Sequence, residues 1–288
     1  MGLPKRHDSR ILDDTGRVIE TGVLPSGHPF ARIGTGSRVV LYIPGLSFTA
    51  EPSKPKAVRR SWKAWLKPID RHGLTFVEVG RRADLPPGST TADVAADYAD
   101  VIRRQWGRAV AVMGISSGGH YAQWLAIRHP DLVDRLVLGF TAHRVPDDVK
   151  VLQRRAVNHF FAGRWRAGFA LIAPWVLPKY PRLASAVGWL LGPHIGGRPT
   201  DLRVLAIDAD SDETHDATDH LADIRCPTLV VGGELDAAYP SKLVRELVAG
   251  LPDARHVEYP NTGHGSAGTR FAEDACGFLA DARRLPLP

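Results

Sequence analysis

The segment Ala109-Val-Ala-Val-Met-Gly-Ile-Ser-Ser-Gly-Gly119 ends an apolar run with Gly114-Ile115-Ser116-Ser117-Gly118. An apolar strand that turns sharply into a helix pushes the residue at the turn into a strained backbone and crowds its neighbours, so only glycine fits two residues before and after it. Ser116 in that position is a nucleophile projecting into a cleft. Choosing Ser117 instead would put β-branched Ile115 where the first small residue must sit, so the spacing selects Ser116 and leaves Ser117 to offer its backbone N–H. A Gly-x-Ser-x-Gly string also arises by chance in glycine-rich turns, and the partners of the serine decide between the readings.

A serine hydroxyl is a weak nucleophile at neutral pH and needs a base within hydrogen-bond reach, with a third group to fix the base's tautomer. Downstream, the strand Thr228 to Val231 runs into Gly232-Gly233-Glu234-Leu235-Asp236, and the strand His256 to Tyr259 into Pro260-Asn261-Thr262-Gly263-His264-Gly265. Both candidates follow the carboxyl ends of strands, the edge where a parallel sheet binds its ligands. The reading is therefore Ser116 as nucleophile, His264 as general base and Asp236 as the residue that orients it. Their order along the chain, Ser then Asp then His, differs from the orders of the chymotrypsin and subtilisin sites. Competing residues have blander readings. Glu234 caps or orients its loop, Asp208, Asp210, Asp212 and Asp216 read as a solvated acidic run, and Gly139-Phe140-Thr141 offers no carboxylate after the preceding strand. His120 reads as structural, and His143, His159, His194 and His215 as surface residues.

Acyl transfer by a serine builds an oxyanion that two preorganised N–H groups must meet. One is expected from Ser117. The other is expected from Leu46, in the loop Pro44-Gly45-Leu46 that follows the strand Arg38 to Ile43; the structural alternative is that Pro44-Gly45 is only a turn. No cofactor and no metal site is expected.

These residues need a scaffold, and the rest of the chain supplies a repeating one. Arg17 to Leu24 and His28 to Ile33 read as a hairpin around Pro25-Ser26-Gly27, and Arg38 to Ile43 as a strand buried on both faces. Helical spacing of Val58, Trp62, Trp65, Leu66 and Ile69, the strand Leu74 to Val79, a helix from about Thr91, the strand Ala109 to Met113, a helix over Gly118 to Arg128 and the strand Arg135 to Leu138 follow. From Arg144 to Asp216 the rhythm breaks into an aromatic-rich stretch without strands. Alternation then resumes, with helices ending near Ile224, over Ser241 to Ala249 and over about Phe271 to Ala282. The division expected is a core of 1–143 and 217–288 with a helical cap at 144–216.

Composition removes several function classes. The 288 residues, 44% hydrophobic and 24% charged, are those of an ordinary globular chain. Two cysteines, Cys226 and Cys276, give neither a disulfide framework nor a zinc cluster. Met1 to Arg10 is charged and lacks the apolar centre of a secretory signal, and the apolar stretch Phe169 to Leu177 is too short to span a bilayer. A cytoplasmic protein with no membrane span is expected. The net charge of +6 specifies no nucleic-acid partner. The basic residues of Ser47 to Pro68 read as a solvated helix face over the apolar stripe of Val58, Trp62, Trp65 and Leu66.

With the elbow, acid and histidine in place, the sequence resembles the capped α/β-hydrolases that include esterases, lactonases, thioesterases and carbon-carbon bond hydrolases. Leu221-Ala-Asp-Ile-Arg-Cys-Pro-Thr-Leu-Val-Val-Gly-Gly-Glu-Leu-Asp236 is similar to that family's approach to its acid, and Asn261-Thr-Gly-His264 to its histidine loop. The resemblance implies a mostly parallel eight-stranded sheet with helices on both faces and a helical cap insertion. It also implies hydrolysis of a small-molecule ester, lactone or thioester with an apolar acyl part. Carbon-carbon cleavage by the same residues, or ligand binding without turnover, are the alternatives. Relatives often carry His-Gly where this chain has Pro44-Gly45, so the side chain that can stiffen that loop is missing. Relatives that open alkyl halides or epoxides use an aspartate nucleophile, which Ser116 replaces.

Overall fold

A computed structural model describes residues 9–12, 16–195, 201–265 and 267–281. Most of Met1 to Arg10 and the end of the last expected helix at Ala282 lie outside the described residues. The chain opens with three antiparallel strands, β1 (Ser9–Leu12), β2 (Val18–Val23) and β3 (Pro29–Ile33). Next come β4 (Arg38–Ile43), α1 (Pro55–Ser61), α2 (Leu66–Arg71), β5 (Leu74–Val79), α3 (Thr91–Gln105), β6 (Val110–Ile115), α4 (Ser117–Arg128) and β7 (Val133–Gly139). The helices α5 (Asp147–Phe161), α6 (Trp165–Val176), α7 (Pro181–Ile195) and α8 (Leu202–Thr214) intervene before β8 (Thr228–Gly233), α9 (Ser241–Gly250), β9 (Ala254–Tyr259) and α10 (Gly268–Ala280).

Among the described residues the sheet has nine strands in the order β1-β2-β3-β5-β4-β6-β7-β8-β9, parallel from β5 to β9. This corrects the expected eight. The extra strand, β1, is four residues long and largely exposed, so it carries no apolar alternation by which a sequence reading could find it. The inner strands are covered on both sides. Along β4, Leu41 and Ile43 join the core formed with α3, α4 and α9, while Val40 joins the one formed with α1, α2 and α10. Double coverage is why the inner strands read as continuous apolar runs rather than as alternation.

The helical spacing from Val58 to Ile69 resolves into two helices instead of one. Pro68 is the cause: in a continuous helix its missing N–H would leave the Ala64 carbonyl unbonded, whereas in the first turn of α2 no such bond is needed. Val58, Trp62 and Leu66 are buried and Lys56, Arg60, Lys63 and Lys67 are exposed, so the basic residues do face solvent. The expected helix before Ile224 is a short 3-10 turn, Thr218–Asp223.

Helices α5 to α8 leave and rejoin the sheet at neighbouring points, where Arg144 bridges Asp216. Ala184, Gly188 and Gly192 form the face of α7 that meets α6; a Cβ at Gly188 would come within 2.6 Å of both the Phe169 carbonyl oxygen and the Ala173 Cβ. Among the described residues no helix is long and apolar enough to cross a membrane, and Cys226 and Cys276 are free thiols.

Candidate active site

The turn from β6 into α4 holds Ser116 at φ 55° and ψ −129°, a left-handed backbone that a side-chain-bearing residue adopts only under constraint. The constraint is steric. A Cβ at Gly114 would lie 2.3 Å from the Gly118 carbonyl oxygen, and one at Gly118 would lie 2.2 Å from that of Ile43. The tight turn therefore needs glycine at both positions, and its strain is held by the strand on one side and the helix on the other.

Ser116, His264 and Asp236 meet at the carboxyl edge of the sheet. Ser116 Oγ lies 3.0 Å from His264 Nε2, and His264 Nδ1 lies 2.9 Å from Asp236 Oδ2. Asp236 is buried, and its other oxygen accepts the backbone N–H groups of Ala238 at 2.9 Å and Tyr239 at 3.0 Å. Those bonds fix the carboxylate, which in turn accepts from the Nδ1–H tautomer and leaves the Nε2 lone pair facing Ser116 Oγ. The histidine is positioned from its backbone as well: His264 N–H donates to the Trp175 carbonyl on α6 at 2.8 Å. Glu234 orients the same loop, accepting the Asn261 N–H at 2.7 Å.

Pro44-Gly45-Leu46 runs beside the serine. A Cβ at Gly45 would stand 3.0 Å from Ser116 Cβ, so the absence of a side chain lets this backbone approach. The stiffening that the proline fails to supply comes from Arg81, just past the end of β5. Its guanidinium donates to the Pro44 carbonyl at 2.6 Å, to the Gly45 carbonyl, and to Asp208 Oδ2 at 2.6 Å. Asp208 also accepts the Ser47 N–H at 2.8 Å and the Tyr121 hydroxyl at 2.8 Å. Both charged side chains are fully buried. Burial acts to lower the Arg81 pKa, but the Asp208 carboxylate outweighs it and holds the guanidinium firmly protonated.

A second buried network lies next to the first. Asp212 accepts from Ser117 Oγ at 2.6 Å, from Gln153 Nε2 at 2.8 Å and, on its other oxygen, from His120 Nδ1 at 2.7 Å. Burial acts to raise the Asp212 pKa; the neighbouring His120 and these donors reverse that and lower it. His120 Nε2 is 3.0 Å from the hydroxyl of Tyr239. The expected solvated acidic run is corrected in part: Asp210 and Asp216 are exposed, but Asp208 and Asp212 are buried against the elbow. Their spacing of four, in step with Val204 and Ser211, was the available signal for one inward helix face. Arg81 carried a fainter signal, a charge directly after a central strand, and Tyr239 none.

Two histidines assigned to the surface are also buried, His143 and His215, while His194 is exposed and His159 half-buried. His215 stacks on His120 with ring centres 3.9 Å apart. Burial, then the neighbouring His120, hold its imidazole well below the ordinary value of 6.5. The unfolded chain takes up this proton near pH 6.5 and the folded protein does not, so stability is full above that pH and declines as the pH falls below it. His143 and His256, both lowered by burial, act in the same direction. The expected urea midpoint is flat above pH 6.5 and drops below it, by at most about 1.4 kcal/mol per group per pH unit. A His215→Gln variant shows a shallower drop; an unchanged slope contradicts the assignment.

The chain is similar to known proteins in sequence and in shape. Residues 40–282 match the model of the alpha/beta hydrolase family. A RutD protein of Klebsiella pneumoniae (strain 342), provisionally named a carbamate hydrolase, is 27% identical over 210 residues, 71% of this chain and 77% of that one. The enol-lactonase of Burkholderia xenovorans LB400 superposes with a TM-score of 0.71 at 16% identity, over 95% of this chain and all of that one. A thermophilic esterase from Thermogutta terrifontis superposes at 0.64 with 21% identity, over 95% and 96%. The match to the family model extends from β4 through α10, across every element that carries Ser116, Asp236 and His264, and the chain belongs to the alpha/beta hydrolase family.

Proposed function

We propose that the protein is a serine hydrolase that cleaves a carboxylic ester, lactone or thioester through an acyl-enzyme on Ser116. The observation that carries this reading is the unbroken chain from Ser116 Oγ to His264 at 3.0 Å and on to Asp236 at 2.9 Å. Ser116 attacks the acyl carbon as its proton passes to His264 Nε2. The N–H groups of Leu46 and Ser117 receive the oxyanion, with Arg81 fixing the loop that carries the first. His264 then returns the proton to the departing alkoxide or thiolate, and water releases the acyl group by the same steps in reverse, while Asp236 stabilises the imidazolium. No cofactor or metal enters these steps.

In this reading residues 144–216 form a cap over the core made by 1–143 and 217–288. The acyl chain lies against half-buried Leu46, Phe48 and Ile172, which pack on the buried apolar cluster of Phe160, Phe169 and Leu205. Leu46 belongs both to this cluster and to the oxyanion loop, which brings the acyl carbon to the serine. The two free thiols fit a reduced, cytoplasmic compartment. The likeness to the Klebsiella protein supports a second reading, in which the acyl group is a carbamate.

Hydrolysis of p-nitrophenyl esters, from acetate to a long acyl chain, tests the proposal with Ser116→Ala as control. The expected rates rise with chain length until the pocket is filled and vanish in the variant. Activity surviving Ser116→Ala overturns the nucleophile assignment. Turnover of a carbamate or a diketone, with none of any ester, moves the reaction to a different bond.

A further inference from the structure

Helix α7 is built inside out. Its face toward α6 is lined by Ala184, Gly188 and Gly192, while its large apolar side chains point into solvent. Leu183 is 59% exposed, Leu190 54% and Trp189 48%, and Tyr180, just before the helix, is 65% exposed. Val176 and Leu177, at the end of α6, continue the surface. A helix folding only for a water-soluble core would reverse this order, because each exposed leucine or tryptophan forgoes its burial energy. A contiguous apolar surface of this kind marks a contact face.

The charges around it identify the contact. No aspartate or glutamate occurs between Asp148 and Asp201, although the whole chain has 31, whereas Arg164, Arg166, Lys179 and Arg182 all lie on the hairpin. The Arg166 guanidinium sits 4.6 Å from the centre of the Trp189 ring, a cation and an amphipathic ring presented together. A second copy of the chain would bring the same cations against each other and is disfavoured. A surface with anionic headgroups above an apolar interior complements both features, the cations at headgroup level and the leucines and rings at the acyl boundary.

We propose that the α6–α7 hairpin seats the protein peripherally on an anionic lipid bilayer. The proposal rests on surface composition and holds whichever bond the active site cleaves. Lys179 also donates to Asn261 at 2.8 Å, and Trp175 accepts from His264, so docking would bring the histidine loop close to the lipid.

The test uses the Ser116→Ala protein, which removes turnover from the readout, in flotation with phosphatidylcholine vesicles with and without phosphatidylglycerol. The expected result is binding to the anionic vesicles only, weakened by salt. Each Lys or Arg near such a surface contributes about fivefold in affinity, so Arg164→Glu/Arg182→Glu lowers binding by more than about tenfold. Leu183→Ser/Leu190→Ser, which alters exposed positions only, abolishes it. Equal binding to both vesicle types, binding unaffected by either pair of substitutions, or no vesicle binding together with self-association in sedimentation velocity each overturns the proposal.

Discussion

His264→Ala is expected to lower kcat/KM for ester hydrolysis by a factor on the order of 10⁴ to 10⁶, with Asp236→Asn close behind at about 10⁴. The first change removes the acceptor 3.0 Å from Ser116 Oγ; the second keeps the shape but replaces the charge that orients Nδ1. In the proposed mechanism the three residues act as one unit, so Ser116→Ala/His264→Ala should be no slower than the worse single variant. Steady-state kinetics on one ester, with circular dichroism to verify folding, check this. Losses that multiply in the double variant would mean that the two side chains act independently, contrary to a shared proton transfer.

The second large effect is expected at Arg81. Arg81→Met leaves the Asp208 carboxylate buried without its cation and frees the carbonyls of Pro44 and Gly45. Orphaning one partner of a fully buried pair costs about 3–5 kcal/mol, to be read as a lower urea midpoint. Arg81→Met/Asp208→Leu should recover much of that stability, because neither charge is then left alone. Activity should not recover with it, since the loop proposed to hold the oxyanion has lost its clamp; a donor displaced from an oxyanion costs about 10²-fold or more in kcat. A loss below about 1 kcal/mol in the single variant would place the pair in the class of solvent-screened surface bridges.

The contrast between these two sets of residues explains what could be read from the sequence. Ser116 is legible because its constraint is local: the glycines that make the elbow possible are two residues away on either side. Asp236 and His264 are legible because each follows the end of an apolar strand, and a parallel sheet gathers such ends at one edge. Arg81 and Asp208 are 127 residues apart and meet only through the packing of α8 on the core, which no short window records. Asp212 lay within reach, since its spacing from Asp208 matches a helix face, but its acidic neighbours made the segment look solvated. The inner strands were found by their continuous apolar runs, and β1 was not because it has none. Helix α7 hid its packing face because glycine and alanine do the packing while the leucines stay outside.

The most direct test of the central claim is intact-protein mass spectrometry after exposure to a fluorophosphonate. The account predicts a single adduct that peptide mapping places on Ser116, formed slowly in the His264→Ala protein and not at all in Ser116→Ala. No adduct on the folded wild-type protein, or one that persists in Ser116→Ala, would contradict an activated serine at the turn between β6 and α4.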